Sequence, residues 1–164
     1  MIGVIVSGAT LFNPYEGDGT TVATASNFFV KASDGTKVWF LDTCNGHPTP
    51  RGQYHYHALP VCITKKVDKA NGPSHVLGIA FDGYPIYGDR DMHVKKIAAA
   101  KLDRCNGLTS ATPEFPSGVY HYVLLNVATS RSSIRCFTGK VNASLLTSMN
   151  SMPGMGGGPP PNET

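Results

Sequence analysis

The sequence has few charged residues and no long apolar run. Charged residues make up 15% of its 164 positions, well below the roughly 25% of a typical soluble domain. No apolar stretch approaches the roughly 18 residues that would cross a membrane, so no membrane span is expected. The apolar start, residues 1–8, is too short for a signal peptide and lacks a basic beginning. It is therefore predicted to be a strand, and any leader to have been removed or never to have been part of this sequence.

Concentrated positive charge is also missing. Lysine and arginine number 14 against 11 aspartates and glutamates, a net charge of +3, and no basic run is interleaved with aromatic residues. A nucleic-acid-binding surface needs a stronger, clustered patch. No nucleic-acid partner is therefore expected, and the basic residues are interpreted as a solvated face.

Cysteine is sparse, and no cysteine lies in a CxxC motif, which argues against a zinc ribbon or a thioredoxin-like site. The four cysteines can pair in three ways; they are Cys44, Cys62, Cys105 and Cys136. Two sequons begin at Asn142 and Asn162, where glycans would attach in a eukaryotic secretory pathway. An even cysteine count with sequons predicts an oxidising compartment, so the protein is expected to be secreted or held at the cell surface.

Glycine and proline, in contrast, are abundant. The 18 glycines and 12 prolines favour short strands and many turns, and a hydrophobic share of 41% is enough for a core. We predict one all-β or β-rich domain over residues 1–144, sandwich-like or barrel-like, with one short helix in 91–102. Residues 145–164, rich in Ser, Met, Gly and Pro, are predicted to form a tail that does not order by itself. This tail, or exposed strand edges, would be the route to any self-association.

Two Asp-Gly pairs, at residues 34–35 and 82–83, predict hairpin turns. The first lies inside a strand-like stretch of β-branched and aromatic residues, 26–41. After the second turn comes Pro85, which cannot donate to a strand ladder. The strand that carries it is therefore predicted to lie at an edge or a bulge.

The chain contains an internal duplication. Two segments recur in the same order: residues 41–46 (LDTCNG) as 102–107 (LDRCNG), and 50–56 (PRGQYHY) as 116–122 (PSGVYHY). Two copies are too few for a solenoid, so a β domain with an internal two-fold relation is expected. Each copy reaches a second cysteine, which predicts a disulfide within each half: Cys44–Cys62 in residues 41–62 and Cys105–Cys136 in residues 102–136.

Residues 54–57 read Tyr-His-Tyr-His, and around them the chain resembles the YHYH-motif proteins. The likeness covers roughly residues 3–139 and rests on several further motifs: 45–47 (NGH), 59–60 (LP), 78–87 (GIAFDGYPIY), 115–120 (FPSGVY) and 135–139 (RCFTG). The resemblance implies a secreted or surface-attached protein with the fold of that family. It implies no activity, because none is established for the family.

If the tetrapeptide forms a strand, the alternation of its side chains decides which residues can act together. Side chains on a strand point alternately to opposite faces, so His55 and His57 share one face while Tyr54 and Tyr56 share the other. Two imidazoles on one face suit copper, zinc, iron or nickel, and copper or zinc is the expected ion. His47 precedes them across a proline-containing turn and is predicted to be a third ligand. Such a site, with an open position, supports redox or hydrolytic chemistry.

The duplication supplies one more candidate ligand. His121 occupies the position of His55 in the second copy and would join the site if the two halves packed face to face. The second copy has Leu108 where the first has His47, and Val123 where it has His57. A complete set is therefore expected only in the first half.

A structural interpretation is equally open. Tyrosine and histidine also fit half-buried strands, and a buried imidazole often bonds only a backbone carbonyl. The protein would then be a structural subunit of an extracellular fibre, surface layer or matrix with no catalysis.

His75 and His93 lack neighbouring histidines and are interpreted as surface or strand residues. Asp42 and Asp103, before the Cys-Asn-Gly turns, are predicted to hold those turns.

Overall fold

The fold is built on one eight-stranded β-sheet. The computed structural model describes residues 1–24, 29–142 and 144. It confirms a β-rich protein with one short α-helix, and the sheet curls into a half-barrel. The predicted tail of residues 145–164, with the sequon at Asn162, lies outside the described residues.

The strands are short, as the glycine and proline content predicts. In chain order they are β1 Gly3–Ile5, β2 Thr10–Leu11, β3 Phe29–Lys31, β4 Lys37–Trp39, β5 Gly46–Pro48, β6 Tyr54–Tyr56, β7 Val76–Ala80, β8 Pro85–Tyr87, β9 Gly107–Ser110 and β10 Val119–Val123. The large sheet has the order β5-β6-β2-β1-β7-β8-β10-β9, and β3 and β4 form a separate hairpin. Both predicted hairpin turns, at residues 34–35 and 82–83, are confirmed.

A two-fold relation runs through the middle of the sheet. β1 and β7 pair antiparallel, and their Cα partners are symmetric about the central pair: Gly3–Ala80, Val4–Ile79 and Ile5–Gly78. Outside this pair, β2 lies parallel to β6 as β8 lies parallel to β10, and β5 and β9 close the two ends. The two-fold relation therefore extends beyond residues 41–62 and 102–136 to the strand pairs that precede them, where residues 3–12 and 78–87 are identical only at two glycines.

Each half has its own disulfide, as the duplication predicts. The bridges are Cys44–Cys62 and Cys105–Cys136. Asp42 and Asp103 do hold the adjacent turns: in each, one carboxylate oxygen accepts the backbone N–H groups two and four residues later. The other oxygen accepts the hydroxyl of Tyr54 at 2.7 Å or of Tyr120 at 2.8 Å. The two halves thus repeat the same bonds.

Two apolar clusters fill the interior. The larger draws on both halves and includes Ile5, Leu11, Tyr56, Leu77, Ile86, Tyr122 and Leu124. The smaller belongs to the second half and consists of Ile97, Leu102, Val123 and Leu125, with Leu108 against it.

The helix prediction was wrong in position. The α-helix is α1, Val61–Val67, which follows Pro60 and carries Lys65 and Lys66 in its last turn, where cations complement the helix dipole. Residues 91–102 contain only a 3₁₀ turn, Ala99–Lys101. Instead, the Asp91 carboxylate accepts two nearby backbone N–H groups, and this bonding favours a turn over a helix. No helix among the described residues is long and apolar enough to cross a membrane.

The strand that carries Pro85 is internal, not at an edge. β8 lies between β7 and β10. The ring is accommodated because Pro85 is the first residue of β8, paired with Ile79 of β7, while the ladder to β10 begins at Ile86. Proline is tolerated at a first strand position. The predicted irregularity is present as a register shift between Val76 and Gly78 on the partner strand.

Candidate metal centre

Strand β6 directs the tetrapeptide as alternation predicts. His55 lies within β6 and His57 directly follows it, and their side chains meet on one side. On the other side Tyr56 enters the main apolar cluster, with the ring of Tyr54 packed edge-on against it at 5.2 Å. Parallel pairing of β6 with β2, with Leu11 opposite Tyr56, fixes this orientation. A one-residue slip would send the histidines into the core.

His47 joins the pair from the neighbouring strand. The turn between β5 and β6 contains Gly52, whose φ of 85° favours glycine. This turn sets the register that places His47 directly opposite His55. The ring centroid of His47 lies 4.4 Å from that of His55 and 5.3 Å from that of His57.

The three imidazoles converge on one point. The Nε2 atoms of His55 and His57 are 2.9 Å apart. One potential ligand atom from each of the three histidines lies within 4.8 Å of the others, and all three residues are buried. Two nitrogens bound to one ion at about 2.0–2.1 Å lie about 3 Å apart. By geometry the cluster is able to hold a metal ion.

Backbone carbonyls orient the two facing rings. His55 Nδ1 lies 3.3 Å from Gln53 O, and His57 Nδ1 lies 2.7 Å from Asn13 O. Since a carbonyl only accepts, these partners favour the tautomer of each neutral ring that carries its proton on Nδ1 and accepts at Nε2. The ring of Phe12 stacks on His55 at 4.1 Å. Bonding of the outer nitrogen while the inner one stays open is typical of metal-ligating histidine.

Glu16 also reaches the cluster, although no sequence pattern pointed to it. Its Oε1 lies 3.4 Å from His47 Nε2 and 3.3 Å from His57 Nε2. The residue comes from the loop after β2, which a bridge between Tyr15 and Val22 folds back. No local pattern relates residue 16 to residues 47 and 57, so only the fold reveals the contact.

Burial sets the charge state of the site. It lowers the pKa of His55 and that of His57 to about 4, and the neighbouring His57 adds to the effect on His55. For Glu16 burial opposes ionisation, but the polar contact with His47 and the positive charge of protonated imidazoles hold its pKa below the ordinary value. At neutral pH His55 and His57 are therefore neutral and Glu16 is ionised.

His121 does not belong to the cluster, so its prediction as a fourth ligand was wrong. The two-fold relation places β10, which carries it, on the far side of four intervening strands from β6, so the halves lie side by side rather than face to face. His121 Nδ1 bonds Val119 O at 3.0 Å, and its ring packs edge-on against Tyr87 at 4.9 Å. Burial lowers its pKa.

The remaining histidines lie elsewhere. His93 is exposed, as predicted. His75 is partly exposed and has a partner that the sequence did not indicate: its Nδ1 lies 2.7 Å from Glu114 Oε1. The other oxygen of Glu114 accepts the Tyr87 hydroxyl at 2.8 Å.

Comparison with known proteins identifies one matching family model. A family model described as YHYH protein matches the chain over residues 1–96 and 89–139. No match was found among curated proteins or among solved structures.

Proposed function

The chain belongs to the YHYH protein family, and we propose that it binds one transition-metal ion, copper or zinc, through His47, His55 and His57. The protein would act outside the cytoplasm. The metal would serve redox or hydrolytic chemistry at a coordination position that the three imidazoles leave open.

The main support for this proposal is that two acceptor atoms lie next to each other. With both Nδ1 protons directed to backbone carbonyls, the Nε2 lone pairs of His55 and His57 face each other at 2.9 Å. Two facing lone pairs repel unless a cation lies between them. The low pKa of both rings, about 4, makes a shared proton unfavourable at neutral pH. A metal ion is the cation that fits.

The donor set supports copper or zinc. Imidazole nitrogen is a ligand for both ions, and burial keeps His55 and His57 neutral, so protons do not compete for these ligands at pH 7.

The two disulfides support the proposed location. Disulfides persist in oxidising compartments and are rare in the cytosol, and both cysteine pairs are bridged. Asn142 is exposed, as an acceptor of a glycan must be. We therefore propose a secreted or cell-surface protein, glycosylated at Asn142 and Asn162 if its source has that pathway.

Metal content is the direct test. The chain is purified without chelators or metal-affinity resin, incubated with Cu²⁺ or Zn²⁺, desalted and analysed by inductively coupled plasma mass spectrometry. We expect about one equivalent of bound metal. The double variant His47→Leu with His57→Val gives the first half the residues found at the corresponding positions of the second, and it should lose stoichiometric binding while keeping its far-UV circular dichroism spectrum.

His121→Leu is the matched control, because it removes an equally buried imidazole from the corresponding strand of the other half. It should bind as much metal as the unchanged protein. Absence of bound metal in the unchanged protein after reconstitution would refute the proposal. The alternative, a structural subunit of an extracellular fibre or matrix, would then lead, and the edge strands β5 and β9 would be its pairing surfaces.

A further inference from the structure

We propose that Glu16 is a fourth, anionic ligand of this site and makes it selective for divalent ions over Cu⁺. The inference rests on the proposed metal function and names the class of ion that the site takes. No sequence motif assigns any role to Glu16.

The position of one carboxylate oxygen is the first argument. Glu16 Oε1 lies 3.3 Å from His57 Nε2, which is the unprotonated nitrogen of that ring, and 3.4 Å from His47 Nε2. This oxygen is buried and accepts no hydrogen bond of normal geometry. A buried carboxylate oxygen without a donor is costly, and here it faces another acceptor. A metal ion between Glu16 Oε1 and His57 Nε2 would give the oxygen a bonding partner and remove the repulsion between the two acceptors.

The loop holds Glu16 in place through its backbone. Glu16 N–H donates to Thr21 O at 2.9 Å, and Glu16 O accepts the N–H of Gly19 at 2.9 Å. The Asp18 carboxylate fixes the turn between them by accepting the N–H groups of Thr20 and Thr21 at 2.9 and 2.8 Å. The carboxylate is thus presented by an ordered turn, as a ligand should be.

Charge and donor type then decide the ion. Three neutral imidazoles leave the full charge of a bound ion uncompensated in a buried site, and one carboxylate reduces a double positive charge to a single one. Carboxylate oxygen suits divalent ions, whereas Cu⁺ prefers soft sulfur ligands. Removing the carboxylate should therefore weaken Cu²⁺ and Zn²⁺ binding more than Cu⁺ binding.

Glu16 is also the ligand nearest to solvent. Its side chain is 21% exposed, against 9% for His47 and 1% for His57. An ion entering from solvent would meet the carboxylate before the deeper imidazoles. The negative charge of Glu16 near the solvent also attracts cations to the site.

The test compares the affinities of Glu16→Gln, Glu16→Ala and the unchanged protein for Zn²⁺, Cu²⁺ and Cu⁺ by competition with chromophoric chelators. Cu⁺ is kept reduced with ascorbate, which spares the disulfides. We expect both variants to bind Zn²⁺ and Cu²⁺ at least about tenfold more weakly and Cu⁺ within about threefold of the unchanged protein. The Cu²⁺ electron paramagnetic resonance spectrum should also change in Glu16→Gln.

Glu114→Gln is the control, since it alters a carboxylate that pairs with a histidine away from the cluster, and it should change none of the affinities. Unchanged Zn²⁺ and Cu²⁺ affinity and an unchanged spectrum in both Glu16 variants would overturn the role of Glu16 while leaving the histidine site intact. An equal loss for all three ions would overturn the selectivity. No divalent binding by the unchanged protein would overturn both this inference and the proposed function.

Discussion

Lowering the pH should destabilise the metal-free protein through its buried histidines. His57 has a folded-state pKa of about 4 against an ordinary value of 6.5. Between these values the unfolded chain binds a proton that the folded chain does not. The free energy of unfolding therefore falls as the pH drops from about 6.5 towards 4, and levels off below that.

The size of the effect follows from the two pKa values. At pH 4.5, a shift from 6.5 to about 4 corresponds to a loss of about 2.5 kcal/mol relative to pH 7. His55 has the same lowered pKa, so the two rings together would lose up to about twice that amount. Glu16 and Asp18 also have lowered pKa values, but carboxylates lose their contribution mainly below this window.

Urea unfolding at several pH values between 7 and 4.5, with chelator present and the disulfides intact, measures the loss. His57→Val is the reference, because it keeps His55 and His121 and removes one ring. Its free energy of unfolding should fall by about 2.5 kcal/mol less than that of the unchanged protein. The reasoning is wrong if the two proteins show the same pH dependence, since His57 would then be protonated alike in the folded and unfolded states.

Two further predictions concern stability and follow from the duplicated architecture. Gly46→Ala or Gly107→Ala would place a methyl group onto the hydroxyl of Tyr54 or Tyr120 and should cost about 1–3 kcal/mol, measured by urea unfolding at pH 7; an unchanged midpoint would show that the tyrosine moves freely. Replacing Cys44 and Cys62 together by serine should cost about 2–4 kcal/mol in the same assay, and a loss well below this range would mean that the bridge constrains the unfolded chain little.

Local sequence patterns predicted the parts of the molecule that depend on local geometry. Alternation was enough to place His55 and His57 on one face, because side chains on any strand alternate. The turn between β5 and β6 was also enough to bring His47 beside them, because a short turn pairs neighbouring segments of the chain. The disulfides followed from the duplication, since equivalent positions in two copies form equivalent bonds. These features depend only on neighbouring residues or on the repeat itself.

The features that were missed depend on how distant segments meet. Glu16 reaches the site because its loop folds across the histidine strand, which no pattern within the loop encodes. His121 was misplaced because a duplication shows that two halves are alike but not how they are arranged. Residues 91–102 have helical composition, but the Asp91 carboxylate bonds the backbone and ends any helix at its start.

The second half of the fold offers an argument from within the chain that two of the three histidines are not needed for folding. At the corresponding positions it has Leu108 and Val123, which pack with Ile97, Leu102 and Leu125, so apolar side chains suit this architecture. Burying imidazoles there instead costs free energy unless their nitrogens are satisfied. His55 differs, since its counterpart His121 keeps the same bond to the carbonyl two residues earlier and also packs against an aromatic ring, edge-on rather than stacked. The fold therefore accounts for a ring at the position of His55, whereas His47 and His57 stand where the second half carries the apolar side chains of Leu108 and Val123.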